Sequence, residues 1–108
     1  MSDNRPISEQ FRIVSKQWVD AEAAASLLED TKSAVLSERM QALLREEPGL
    51  AINQAEATVK ASGEWAEWIN GMNDARRKAN LLKVQMEYLR MKSGEQASYE
   101  ATKRAEMK

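Results

Sequence analysis

The chain of 108 residues has room for one small domain, and its 43% hydrophobic and 31% charged residues are typical of a soluble helical protein. It contains no cysteine and no histidine, which excludes disulfide bonds, Cys–His nucleophile pairs and the usual zinc sites. The net charge is −1, but residues 1–75 carry 7 basic and 13 acidic groups, whereas residues 76–108 carry 9 and 4. The chain is therefore electrically polarised, and neither a cofactor nor a catalytic centre is predicted.

The first predicted helix covers residues from about 8 to 46. Ser8 suits the N-cap position, and apolar or small residues follow at alternating spacings of three and four, which places them on one face of a helix. They are Phe11, Val14, Trp18, Ala21, Ala25 and Leu28. The helix should end near Glu46, because Pro48 disfavours helical geometry at the residue before it and Gly49 favours termination. A turn is predicted over residues 47–50.

The second predicted helix covers residues from about 51 to 92, with a kink near Gly63. Its apolar face, called here the core stripe, keeps the three-four alternation expected of a coiled coil. The core stripe consists of Trp65, Trp68, Met72, Ala75, Ala79, Leu82, Met86 and Leu89. Ser93-Gly94 is a candidate break, after which residues 95–108 are predicted to form a C-terminal helical tail.

These elements predict a single domain over residues 1–108 of the all-α class. Folding at Pro48 and Gly49 gives an antiparallel, coiled-coil-like helical hairpin with a C-terminal helical extension. In that register, residues whose numbers sum to about 97 face each other, so Leu28 is expected near Trp68 and Ile69. We expect this hairpin to dimerise into a helical bundle.

A two-helix hairpin leaves part of the second helix uncovered. The uncovered residues, called here the second stripe, are Leu81, Val84, Tyr88 and Met91. Either the C-terminal tail or the N-terminal arm folds over them, or a second copy or another protein does. Apolar patches of this size usually mark an interface, so we predict a partner or dimer contact here. Trp65 and Trp68 are assigned to packing in the core or at this interface, and their alternative role is to stack on a base or enclose a ligand.

Basic residues concentrate in the last third of the chain. They are Arg76, Arg77, Lys78, Lys83, Arg90 and Lys92. Arg76, Lys83 and Arg90 are seven residues apart and share one helical face, as contacts to a phosphate backbone or an acidic partner would require. No nucleic-acid-binding motif accompanies them, and the pI is 5.6. The alternatives are a solvated face or a complement to the acidic first segment within a dimer.

Residues 83–92, Lys-Val-Gln-Met-Glu-Tyr-Leu-Arg-Met-Lys, together with residues 100–107, Glu-Ala-Thr-Lys-Arg-Ala-Glu-Met, resemble a pattern of small helical proteins encoded by phages and prophages. The resemblance covers about a third of the chain and includes no catalytic motif. It implies an accessory role in a phage, near recombination or counter-defence.

The predicted function is that of a non-enzymatic protein–protein interaction module, in a phage setting an inhibitor or adaptor of a host or phage nucleic-acid enzyme. The alternative is a DNA- or RNA-binding accessory protein that uses the basic C-terminal third. The sequence shows no signal peptide and no apolar run of about 20 residues. The expected location is therefore the cytoplasm, that of the host cell for a phage protein, without a membrane partner.

Overall fold

The computed structural model describes residues 4–107, which form three α-helices. Helix α1 covers Ile7–Glu46, α2 covers Ile52–Lys60 and α3 covers Gly63–Glu106. No β-strand occurs within residues 4–107, and the all-α prediction is confirmed. Of the predicted C-terminal tail, Lys108 lies outside the described residues.

Helix α1 ends two residues before Pro48. The N–H of Glu47 still donates to the carbonyl oxygen of Leu43 at 2.8 Å, and the N–H of Leu50 donates to the carbonyl oxygen of Glu47 at 3.1 Å, which closes a turn. None of the glycines has a positive φ. The expected left-handed terminator at Gly49 is therefore absent, and the restriction that Pro48 places on its predecessor accounts for the end of the helix.

The segment predicted as one helix over residues 51–92 contains two helices. Helix α2 starts after Ala51, whose N–H donates to the side-chain oxygen of Gln54 at 3.2 Å, so one of the free donors at the helix start is satisfied. Ala55 and Val59 are buried, while Ile52 is 68% exposed. A helix of nine residues is too short to be stable alone in water, so α2 depends on burying this face.

Ser62 separates α2 from α3. Its hydroxyl donates to the carbonyl oxygen of Val59 at 2.6 Å and accepts from the N–H of Trp65 at 3.2 Å. One side chain thus satisfies an acceptor at the end of α2 and caps the start of α3. The kink predicted near Gly63 is a full helix break, and Ser62 rather than glycine flexibility holds it.

The second predicted break, at Ser93-Gly94, is absent. Helix α3 runs through both residues to Glu106. A single glycine costs about 1 kcal/mol relative to alanine in a helix interior, and no proline follows. Strong helix formers on both sides therefore carry the helix through Gly94.

Contacts within the chain group into two compact units. The first combines residues 4–22 of the described chain with residues 78–107. Its core consists of buried Val14, Met86 and Leu89, against which Ile7, Phe11, Trp18 and Leu82 pack. The predicted apolar face of α1 therefore packs, at the start of that helix, against the core stripe in the later part of α3.

The second unit comprises residues 23–77. Glu29 bonds to Arg76 and Arg39 lies 3.9 Å from Glu64, so residue numbers rise along α1 as they fall along α3 and the two segments run antiparallel. Glu29 was expected near Trp68, so the predicted register is wrong by about two helical turns. The reason is α2. The prediction assumed that one long helix follows the turn directly, whereas α2 and the short non-helical segments on either side of it lie between α1 and α3.

Candidate interaction surface

The second stripe lies open on α3. The exposed fractions are 60% for Leu81, 64% for Val84, 53% for Tyr88 and 57% for Met91. Spacings of three, four and three keep these side chains on one face of the helix. The intervening core-stripe residue Met86 is buried, so α3 has two apolar faces here and the chain covers one.

The structure also bears on what could cover the second stripe from within the chain. Residues 91–106 continue α3, and they and Met107 are exposed, so the described part of the C-terminal tail does not fold back. Arg5 and Pro6, near the start of the described chain, line a cleft with Ser93 and Gln96. Within residues 4–107, no segment buries the second stripe.

The two tryptophans assigned to the interface lie at the start of α3 and stack on each other. Their ring centroids are 5.5 Å apart and their planes differ by 10°. Trp65 is only 6% exposed, whereas Trp68 is half-buried. Trp65 therefore acts as a packing anchor, and the interface assignment of this residue is not supported because its ring is inaccessible.

Arg76, the first residue of the basic set, forms a bidentate ion pair. Its Nε donates to Glu29 Oε2 at 2.9 Å and its Nη2 donates to Glu29 Oε1 at 2.7 Å. These hydrogen bonds and the guanidinium charge lower the pKa of the Glu29 carboxyl from its ordinary value of 4.5, although desolvation opposes them. The ion pair with Glu29 of α1 therefore fixes the orientation of the Arg76 guanidinium and neutralises its charge.

Two further members of the basic set lie against aromatic rings. The Arg90 guanidinium lies 5.8 Å from the centre of the Phe11 ring, and the Lys92 ammonium lies 5.9 Å from the centre of the Tyr88 ring. Both distances fit cation–π contacts. Of the three residues spaced by seven, Arg76 and Arg90 thus contact α1, whereas Lys83 is exposed.

The remaining cations, Arg77, Lys78 and Lys83, are exposed. None of the three makes an ion pair within the described part of the chain. Arg77 lies one helical turn before Leu81 and Lys83 lies next to Val84, so these charges border the second stripe. The basic set is better described as a charged margin of an apolar surface than as a continuous stripe.

A cleft that the sequence analysis missed lies in the first unit. It has a volume of about 470 Å³ and is lined by residues near the start of α1 and by Ser93, Gln96 and Glu100 of α3. A smaller hollow of about 210 Å³ beside it is lined by Ser8, Phe11, Arg90 and Ser93. Both hollows are open to solvent, and most of the residues that line them are polar. No spacing in the sequence predicts them, because they form where two segments distant in sequence meet.

Neither a metal cluster nor a membrane span is found within residues 4–107. No three His, Cys, Asp or Glu side chains there come together in a way that could hold a metal ion. None of the three helices combines the length and the apolar character needed to cross a bilayer.

Comparison with known proteins gives no relative for this chain. No protein-family model matches it, and neither the curated proteins nor the solved structures contain a significant match.

Proposed function

We propose that this chain is a non-enzymatic protein–protein interaction module whose contact surface is the second stripe. The observation that carries the proposal is the row of four large apolar side chains, each more than half exposed, on a helix whose opposite face is packed. Leaving such a row in water forfeits about 25 cal/mol for each Å² of apolar surface, so burial by a partner is favourable.

The charged margin supports a protein partner over a phosphate backbone. A nucleic-acid surface needs several free cations in register, but Arg76 is bonded to Glu29 and Arg90 lies over Phe11. An apolar centre bordered by Arg77 and Lys83 resembles the usual composition of protein–protein interfaces, which have an apolar core and a polar rim.

The finer architecture belongs to the same proposal. It is an antiparallel helical hairpin with a C-terminal helical extension that associates through α3 into a helical bundle. The ion pair between Glu29 and Arg76 and the exposure of the second stripe support it. The resemblance of residues 83–92 and 100–107 to small phage proteins suggests the setting, an accessory protein in the host cytoplasm that inhibits or adapts a nucleic-acid enzyme.

The test compares two substitutions at equally exposed positions. Val84 on the second stripe and Leu27 on α1 are each 64% exposed, so Val84→Glu and Leu27→Glu add the same charge to the same degree of exposure. Tagged chains are used to capture binding partners over a salt series from host lysate that also contains the untagged chain, with and without nuclease treatment. We expect Val84→Glu to reduce capture by at least about tenfold, because a charge is buried at the contact, while Leu27→Glu resembles the unmodified chain.

Two outcomes would contradict the proposal. Equal capture by all three chains would mean that the second stripe is not the contact surface. Recovery of nucleic acid alone before nuclease treatment, with steep loss as salt rises, would move the function to the basic residues.

A further inference from the structure

We propose that the second stripe is covered by the same stripe of a second copy of this chain, with the two α3 helices antiparallel about a two-fold axis. The inference rests on the proposed function, since it names the partner of the same surface. The observation behind it is the order of residues along that face. When two copies lie antiparallel, each residue of this face meets a suitable residue of the other copy.

Six residues of α3 form this series, with spacings of four, three, four, three and four. They are Arg77, Leu81, Val84, Tyr88, Met91 and Glu95. The series reads with the same spacing in both directions, and it spans about 27 Å of helix at 1.5 Å per residue. Apolar residues occupy its centre, a cation begins it and an anion ends it.

Antiparallel pairing about the centre of the series matches every position with a suitable partner. Leu81 lies opposite Met91 of the second copy, two apolar side chains of similar size, and Val84 lies opposite Tyr88, so the large ring meets a smaller side chain. Arg77 lies opposite Glu95 at both ends. A two-fold interface requires this kind of self-matching, because each residue i that meets j is repeated as j meeting i.

The end charges select the antiparallel orientation. Parallel pairing would place Arg77 beside Arg77 and Glu95 beside Glu95, and like charges across an interface are disfavoured. Arg77 and Glu95 are both exposed, and neither has an ion-pair partner within residues 4–107. Both are therefore available to a second copy.

The association should be weak. The apolar centre from Leu81 to Met91 is short, and the antiparallel pairing brings the two Glu87 carboxylates towards each other near the axis. Interfaces of this size usually give transient dimers. A concentration series is therefore needed to observe the dimer.

The experiment measures molecular mass by sedimentation velocity from about 1 µM to 1 mM, the range in which small interfaces dissociate. We expect the full chain to change from its monomer mass of 12.2 kDa to twice that mass. Arg77→Glu and Glu95→Arg should each weaken the dimer by roughly three- to tenfold, as expected for paired charges at a rim. Arg104→Glu, on another face of α3, is the matched control and should leave the dimer unchanged.

Mixing gives the decisive result. An Arg77→Glu chain carries two anions on the stripe and a Glu95→Arg chain carries two cations, so antiparallel pairing predicts that the mixture forms a heterodimer tighter than either variant alone. The double variant should also recover the original affinity. Parallel pairing would also join these oppositely charged variants, but it would make their heterodimer tighter than the unmodified dimer, in which like charges would be opposed. Antiparallel pairing instead makes the heterodimer and the unmodified dimer equally tight.

Three results would overturn this inference. They are a monomer throughout the concentration series, a dimer indifferent to both charge reversals, and a mixture no tighter than the single variants. A monomer whose capture of another protein is still lost in Val84→Glu would refute the second copy and leave the proposed function standing. A monomer whose capture is insensitive to Val84→Glu would refute both.

Discussion

Two apolar stripes lie on roughly opposite faces of the later part of α3, and one is buried while the other is exposed. In the core stripe Ala79, Met86 and Leu89 are buried, at 0%, 8% and 6% exposure. In the second stripe, over the same stretch of helix, exposure lies between 53% and 64%. Residue types and spacings are alike in the two, so composition does not separate them. The difference is that α1 supplies a partner for one face and no described segment supplies one for the other.

This comparison shows what hydrophobic periodicity measures. A three-four pattern indicates that a helix has an apolar face, and it says nothing about where the covering surface comes from. One covering surface is in the same chain, and we propose that the other is in a second copy. The predictions below test how sharply the two faces differ in energy.

The largest difference is expected between two methionines on α3. Met86 is 8% exposed in the core stripe, and Met91 is 57% exposed in the second stripe. Met86→Ala should lower the free energy of unfolding by about 2 to 5 kcal/mol, because it removes buried contacts and leaves a cavity. Met91→Ala should change that free energy by less than about 0.5 kcal/mol in the monomer. Urea denaturation followed by circular dichroism at low protein concentration measures both.

Protein concentration provides the control for the methionine pair. As concentration rises into the range of the proposed dimer, Met91→Ala should begin to cost stability relative to the unmodified chain, since association stabilises folded chains by mass action. Equal effects of the two substitutions at low concentration would show that the second stripe is covered within the monomer.

A smaller and favourable effect is expected at Gly71. This residue lies inside α3, and a Cβ atom built there meets nothing within 4 Å. Gly71→Ala should therefore raise the free energy of unfolding by up to about 1 kcal/mol, the helix-propensity difference between the two residues. Thermal unfolding of the two chains measures the gain. A loss of stability instead would mean that this face of α3 is also in contact with another surface.

The smallest effect on the free energy of unfolding is expected from the ion pair between Arg76 and Glu29. Because the pKa of Glu29 is lowered, the folded chain favours the carboxylate, and the pair contributes stability that is present at pH 7. That contribution is lost as the pH falls below 4.5 through the lowered pKa. Glu29→Gln should therefore destabilise the chain at pH 7, and the difference from the unmodified chain should vanish in acid.

The control for this ion pair is Glu38→Gln, on the same helix at an exposed position without an ion-pair partner. Its effect on the free energy of unfolding should be negligible at pH 7. If Glu29→Gln and Glu38→Gln behave alike across the pH range, the contact with Arg76 does not stabilise the chain in solution.

Local features of the fold could be predicted from the sequence, and long-range ones could not. Pro48 indicated the end of α1, and the three-four spacing indicated both the α1 face around Val14 and the core stripe. The register was wrong because it assumed a tight turn, and no local signal distinguished α2 from a continuous helix. The role of Ser62 was missed because it depends on one hydroxyl that serves two helix ends at once.

Of the candidate site, the sequence predicted the position of the second stripe but not the contacts made by the basic residues. The second stripe was evident from spacing alone, and its four side chains are exposed; that a partner covers them stays a prediction. The basic set was read as one face because Arg76, Lys83 and Arg90 are seven residues apart. The contacts that occupy two of them come from Glu29 and Phe11, which are far away in sequence, and helical spacing carries no information about such partners.

The sequence by itself determined that this protein is helical, that α1 ends before Pro48, and that α3 has two apolar faces, because helix propensity, proline geometry and side-chain periodicity act over a few residues. Only the tertiary structure decided which face is buried, which cations are held and where α1 lies along α3. All three depend on contacts between segments that are tens of residues apart in the sequence. The register of these contacts depends on how many residues α2 and its flanking breaks place between α1 and α3.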